Sequence, residues 1–324
     1  MARPRIALLS NPKSTGNLAQ LPRMRAFCAE HPDIFHYEVE KADQVGEALR
    51  TIARVRPKML VINGGDGTVQ AALTEIHNGG HFGSDAPPVA VLPSGKTNLI
   101  ALDLGAPGDP IKALEKLLEI AQADLSPHIV ARELIALRCG AGEQKPVIGM
   151  FLGGAGLADT ILYCREKIYP LGLPNGLSHA ITAVAVLTRL FLRLKGSFLP
   201  PHPCQLAVSW RNSQIVTGRF SLLAVTTLDK VLLSGELRGL RRGVLRLVAI
   251  EERPASLLRA FFATLAGKLG HSSVRGVHYE ESDEISIEGE SSKVVLDGET
   301  FRAEIGRPIF LKLTQPLSFV RIAA

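Results

Sequence analysis

The residues Asn63-Gly64-Gly65-Asp66-Gly67-Thr68 follow the apolar run 59–62 and precede a helical pattern over 69–77. Three glycines in four positions let the backbone approach a ligand closely and turn its N–H groups toward it. A helix N-terminus adds partial positive charge, so this loop suits a phosphate. Asp66 is the carboxylate inside it, and its plain alternative role is to cap the helix. A second polar loop, Ser94-Gly95-Lys96-Thr97-Asn98, follows the apolar run 89–92, and a third, Asn11-Pro12-Lys13-Ser14, follows the run 6–9. Near the C-terminal end, Asp297-Gly298-Glu299 separates two apolar-alternating runs, 293–296 and 301–305. Asp-Gly is the strongest short hairpin signal, so taken alone this triplet reads as a turn.

Phosphoryl transfer is the chemistry these types serve. It demands positioning, charge neutralisation and a base for the incoming hydroxyl, and no covalent nucleophile. Asp66 and Glu299 are the two candidates for that base, and the residues alone leave their roles undivided. Two familiar motifs fail. Gly95-Lys96-Thr97 looks like the tail of a Walker A loop, but Ala90 stands where that motif needs glycine. Gly154-Ala155-Gly156 lacks the third glycine of the dinucleotide fingerprint, which is Asp159 here, leaving a nicotinamide site as a weak alternative.

In order and spacing, the four loops resemble the diacylglycerol kinase catalytic family of lipid kinases, which includes soluble bacterial diacylglycerol kinases, sphingosine kinases and ceramide kinases. The resemblance covers nearly the whole chain. It implies a two-domain kinase that uses Mg²⁺ and transfers the γ-phosphate of ATP to a hydroxyl of a membrane lipid. Gly64, Gly65, Gly67 and Thr68 would hold the phosphates. Asn11, Lys13, Ser94, Gly95, Lys96, Thr97 and Asn98 would line the nucleotide site, with Lys96 offering a phosphate contact of its own. Asp66 and Asp297 would face the metal, and Asp66 and Glu299 the reacting groups. Several positions depart from the family. Leu99 replaces a common Asp and tilts the acceptor from diacylglycerol toward ceramide or sphingoid lipids. Arg241 and Arg242 stand where a second, structural Mg²⁺ is held, Thr226-Thr227 lacks an Asn-rich turn, and Glu40 replaces a nucleotide-contacting Thr. The rival readings are an NAD kinase and a catalytically silent lipid-binding protein.

The elements that must position these loops alternate strand and helix through the first third of the chain, as around a parallel sheet. From residue 129 onward, short β-branched runs alternate with polar residues, as in an antiparallel sheet. The expected fold is therefore an α/β nucleotide-binding domain over 1–127, with 308–324 returning to it, and a sandwich-like, antiparallel β-rich lipid-binding domain over 128–307. Two helices are expected within the second domain. In the one over 255–269, Leu258, Phe261, Phe262, Leu265 and Leu269 form a stripe read as core. In the one over 177–194, Val184, Leu187, Leu190, Phe191 and Leu194 read as buried or as a wall of the acyl-chain cleft.

Composition narrows the partners. The 324 residues are 46% hydrophobic and 21% charged, with a net charge of +6, which excludes disordered and fibrous classes and suggests an anionic partner. Only 5% are aromatic, too few for the stacking platforms of single-strand nucleic-acid binders, so no nucleic acid is expected. Four scattered cysteines fit reduced thiols and offer no zinc site. His77 and His81 read as a surface loop, because Gly79 and Gly80 break the helix between them. Residues 1–9 are too short for a signal-peptide core, and the uncharged stretch 171–188 is interrupted by Pro174, Asn175, Ser178 and His179. The protein is thus expected in the cytoplasm, peripheral on the inner face of an anionic membrane, held there by the basic cluster Arg238, Arg241, Arg242 and Arg246. The sequence names no oligomeric state.

Overall fold

A computed structural model of the protein describes residues 6–83, 85–106, 108–140, 142, 144–173, 175–192, 199–210, 214–229, 243–266, 269 and 273–322. β1 (Ile6–Ser10) and β3 (Met59–Asn63) are buried at every position, as strands covered on both faces must be. They lie at the centre of a six-stranded sheet with β2 (Ile34–Glu38), β4 (Val89–Val91), β5 (Ile129–Arg132) and β17 (Leu317–Val320), in the order β2-β1-β3-β4-β17-β5. All pairs are parallel except β17 with β5. The helices of this domain are α1 (Asn17–Glu30), α2 (Val45–Val55), α3 (Asp66–Gly79), α4 (Leu99–Asp103) and α5 (Pro110–Gln122). The three polar loops leave the C-terminal ends of β1, β3 and β4, so parallel pairing brings them together at one edge, where open α/β sheets bind ligands.

The second domain comprises β6 (Ile135–Cys139), β7 (Val147–Gly149), β8 (Phe151–Gly154), α6 (Gly156–Tyr163), α7 (Asn175–Leu192), β9 (Gln205–Trp210), β10 (Gln214–Thr226), β11 (Leu245–Glu251), α8 (Pro254–Leu265), β12 (Val277–Ser282), β13 (Glu284–Gly289), β14 (Ser292–Leu296), β15 (Glu299–Ala303) and β16 (Ile309–Leu313). Its strands run β15-β14-β8-β10-β9-β13-β16-β6-β7, with β11 on β10 and β12 on β11. The long strand β10 pairs with β9 through its first half and with β8 and β11 through its second. An irregularity between Phe220 and Leu222 lets this one strand turn from one leaf into the other. The leaves enclose a core that includes Leu152, Phe220, Leu223, Ile285 and Ile309, giving the antiparallel, β-rich architecture expected.

Several expectations are corrected. Of residues 308–324, only β17 joins the first sheet; β16 pairs with β13 and β6, because its alternating burial fits a leaf with one covered face. Residues 129–132 belong to the first sheet, not the second, through pairing with β17. Gly154-Ala155-Gly156 lies between β8 and α6, and β8 runs antiparallel to both neighbours, so it is not a parallel-sheet dinucleotide turn. The stripe on α8 faces outward: Ser256, Ala260 and Ala263 are buried, while Leu258, Phe261 and Phe262 are exposed. Small residues are what allow this helix to lie close on its sheet. α7 likewise buries Ser178, Thr182 and Arg189 and exposes Leu177, Val184 and Leu187. Leu269 is half-buried, whereas the side chains of Leu190, Phe191, Leu194 and Leu265 lie outside the described set. So do Arg238, Arg241 and Arg242. Arg246 is no surface cation: it is buried, donates from Nη1 to the Leu228 carbonyl at 2.8 Å and pairs with Asp229 at 3.6 Å.

One polar stripe joins the domains. Asp66, Gln70, Thr74 and Asn78 recur every four residues and so share a face of α3. Gln70 Nε2 donates to the Leu296 carbonyl at 2.7 Å, Thr74 Oγ1 accepts from the Ile148 N–H at 3.0 Å, and Asn78 Nδ2 donates to the Pro146 carbonyl at 2.8 Å. The helix that starts at the glycine loop is thereby bolted to β14, β7 and the residue before β7. Thr74→Val keeps the shape but orphans the Ile148 N–H, and is expected to cost about 1–3 kcal/mol. Calorimetry should show a lowered Tm that Thr74→Ser largely restores.

Candidate active site

The loops are tied to one another before any ligand arrives. Asn63, at the end of β3, donates from Nδ2 to Ser10 Oγ at 3.0 Å and accepts from Ser94 Oγ at 2.5 Å. Asn17 Nδ2 donates to the Asn11 and Asn63 carbonyls at 2.8 and 3.0 Å, and Ser14 Oγ donates to the Ser94 carbonyl at 2.7 Å. Asn11 Nδ2 reaches Thr68 Oγ1 at 2.9 Å. A methyl group on Gly64 would come within 2.6 Å of the Thr68 side chain of its own loop, and one on Gly95 within 3.1 Å of the Gly65 backbone, so the loops after β3 and β4 meet most closely where both residues are glycine. Asn98 adopts a left-handed conformation at φ 54° and its Oδ1 accepts from the Gly95 N–H at 2.7 Å. Residues 95–98 therefore form an open loop and not the start of a helix, which begins at Leu99.

This frame borders a cleft of about 310 Å³. Of the residues singled out in the sequence, Asn11, Lys13, Gly65, Gly67, Thr68, Gly95, Lys96 and Glu299 line it. Gly64, Ser94 and Asn98 stand behind as supports, while Thr97 is on the same loop but not in the lining. Lys13 and Lys96 supply positive charge; Lys13 pairs at 2.9 Å with Glu40, both exposed, which holds the Glu40 carboxyl below its usual range. Lys96 Nζ lies 3.6 Å from the centre of the Tyr169 ring, a cation–π contact reaching from the first domain to the second. Leu99 is partly buried and packs against the hydrophobic core that includes β1, β3 and β4.

The carboxylates divide by environment. Gly65, not Asp66, caps α3, and no side chain hydrogen-bonds the cap, so the capping role is excluded. Burial pushes the Asp66 carboxyl up to about 6, and its charge is felt at Tyr169 and Asp297 in the second domain. Glu299 is exposed; its Oε1 would stand 3.4 Å from a methyl on Gly67 in the glycine loop. Asp297 is a correction to the expected metal ligand. Its carboxylate is turned inward, accepting from the Met150 N–H at 2.7 Å and the Phe151 N–H at 3.0 Å, and burial with the nearby Asp66 charge pushes it up to about 7. Thr226 Oγ1 and the Thr227 N–H close the other side of this turn by donating to the Met150 carbonyl at 3.0 and 3.1 Å. Asp297 is therefore a wall of the site, and Thr226-Thr227 its backing.

Two contributors carry no signal in the sequence. Tyr169 and Arg165, whose Nη1 donates to the Gly298 carbonyl at 2.6 Å, come from an irregular helical segment whose position depends on tertiary packing. The α3 stripe was legible as a four-residue polar repeat. Among the described residues, no three His, Cys, Asp or Glu side chains cluster to hold a metal.

Residues 5–126 match the diacylglycerol kinase catalytic domain. Among solved structures, a candidate diacylglycerol kinase from Bacillus anthracis str. Sterne is similar at TM-score 0.65 and 16% identity, covering 98% of this chain and 97% of its own. Another diacylglycerol kinase from that organism gives 0.59 and 14% over the same shares. An NAD kinase from Archaeoglobus fulgidus in complex with ATP gives 0.50 and 12%, covering 98% and 94%. At such identities these likenesses are of fold. No curated protein matches the chain. Over residues 5–126, on the loops built as described above, the chain thus carries a diacylglycerol kinase catalytic domain, the domain of a kinase acting on a lipid.

Proposed function

We propose that the protein transfers the γ-phosphate of ATP to the hydroxyl of a membrane lipid, either a ceramide or sphingoid lipid or diacylglycerol. The observation that carries this reading is the position of Asp66. It is a partly desolvated carboxylate opening α3 within the glycine loop; it does not itself line the cleft, but its neighbours Gly65 and Gly67 do, and its charge reaches Tyr169 and Asp297 of the second domain.

The cleft lined by Lys13, Lys96, Gly65 and Gly67 takes the nucleotide phosphates. Asp66 accepts the proton of the lipid hydroxyl as its oxygen attacks the γ-phosphorus; the bond to the β-phosphate oxygen breaks and ADP leaves. A carboxyl near 6 suits that task at neutral pH, being mostly ionised yet still basic. Glu299, across Gly67, would hold Mg²⁺ together with phosphate oxygens. The donor set fits, because Mg²⁺ takes one or two carboxylates and completes its shell with phosphate and water. When bound, that ion neutralises charge developing on the phosphates. Asp297 fixes the Met150 turn within the second domain.

The lipid is drawn from a bilayer through the outward faces of α7 and α8. No helix among the described residues is long and apolar enough to cross a membrane. Yet Val184 and Phe262 are each 62% exposed and Phe261 55%, beyond what scattered surface apolar residues explain. Arg189 of α7 pairs at 2.9 Å with Glu252, in the turn between β11 and α8. Phe261→Ser with Phe262→Ser should weaken vesicle binding by roughly a hundredfold, leaving turnover of a short-chain, dispersed acceptor intact. Unchanged sedimentation with vesicles would move the contact elsewhere.

The function itself is tested by ATP consumption in the presence of Mg²⁺ across diacylglycerol, ceramide, sphingosine, monoacylglycerol and NAD. Consumption that depends on one of the lipids is expected. Consumption with NAD alone supports the rival enzyme, and none with any acceptor supports the silent protein.

A further inference from the structure

The net charge of +6 is distributed unevenly. Arg25, Arg132, Arg189 and Arg246 are paired with carboxylates. Arg50 and Arg54, one turn apart on α2, and Arg56 and Lys58, in the lead-in to β3, have no carboxylate within ion-pair distance among the described residues. All four line one cavity of about 970 Å³, beside Phe82. It lies at the N-terminal end of β3, the end opposite the glycine loop. Five residues of strand separate the two, about 17 Å.

We propose that this cavity is a second binding site, for a phosphate-bearing anion. Basic residues in the last turn of a helix complement its dipole, which accounts for Arg54 alone. It does not account for four cations converging on one concavity. Arg56 is moreover held in the left-handed region at φ 48°, at the helix C-terminus where glycine is usual. The strained backbone aims a guanidinium where a small residue would have served the turn. Two other titratable groups face the cavity. His81 is engaged by Glu75 at 2.6 Å and adds no free charge, and Asp85 is the carboxylate that opposes the cations. Arginine forks and an ammonium match phosphate oxygens, whether of a free phosphate compound or a lipid headgroup.

The full chain is titrated with inorganic pyrophosphate by calorimetry, and sedimented with phosphatidylcholine vesicles with and without phosphatidylglycerol. Both are repeated with Arg50→Gln/Arg54→Gln/Lys58→Gln, in which glutamine preserves helix propensity. The nucleotide cleft and the apolar helices give the same background in both proteins. The triple variant is expected to lose roughly a hundredfold in affinity in one arm. Loss confined to pyrophosphate identifies a free phosphate ligand, and loss confined to anionic vesicles a lipid headgroup. Equal binding by parent and variant in both arms overturns the proposal. If the variant fails to fold, Asp85→Asn decides: tighter binding in either arm supports the site, and no change in both overturns it.

Discussion

Asp66→Asn is expected to lower kcat by about a hundredfold or more and, in the same protein without ligand, to raise Tm at pH 8. The two effects share one cause. Burial holds the Asp66 carboxyl at about 6, above the unfolded value near 3.9, so folding favours its protonated form. That contribution is fully present below the unfolded value and is lost as pH rises through about 6. At pH 8 the ionised, desolvated carboxylate therefore costs the fold on the order of 2 kcal/mol. Asparagine removes this cost, giving a Tm gain at pH 8 that vanishes near pH 4. The activity prediction runs the other way: kcat/KM should fall as pH drops below about 6, because the base must be ionised. A variant with near-parental turnover would relieve Asp66 of the role. A variant destabilised at pH 8 would contradict the burial argument.

Glu299→Gln should also cost about a hundredfold at limiting Mg²⁺, but by a different route. Glu299 is exposed, so Tm should not move. If its carboxylate holds the ion, the variant's Mg²⁺ requirement rises and activity partly recovers when Mg²⁺ is raised. The acid limb of the pH profile stays, because that limb belongs to Asp66. A kcat loss indifferent to Mg²⁺, with the acid limb gone, would exchange the two roles. The Asp66 variant serves as the control: its loss should persist at every Mg²⁺ concentration.

The loops could be read in the sequence because each is a run of apolar residues ending in glycine, asparagine or proline. Parallel pairing then leaves such endings one place to meet. The direction of Asp297 could not be read. Asp-Gly announces a turn, but only the approach of the Met150 turn from β7 and β8, some 147 residues earlier, decides that the carboxylate points inward. The α8 stripe shows the complementary limit. Periodicity locates the apolar face of a helix without saying which face the sheet covers, and Ala260 and Ala263 allowed the closer packing. Residues 308–313 alternate like any half-buried strand, and the partner that claimed β16 was a matter of topology. The α3 repeat of Asp66, Gln70, Thr74 and Asn78 stands in the sequence, but polar spacing signals an interface only once a second domain is known to lie there.

The central claim is that phosphate crosses from ATP to a lipid past Asp66. The most direct measurement follows labelled γ-phosphate from ATP in mixed micelles, with parent and Asp66→Asn side by side, and asks where the label goes. The label should move into an organic-soluble phospholipid product with the parent and stay with ATP in the variant. Label released as inorganic phosphate by both proteins, or incorporated equally by both, would contradict it.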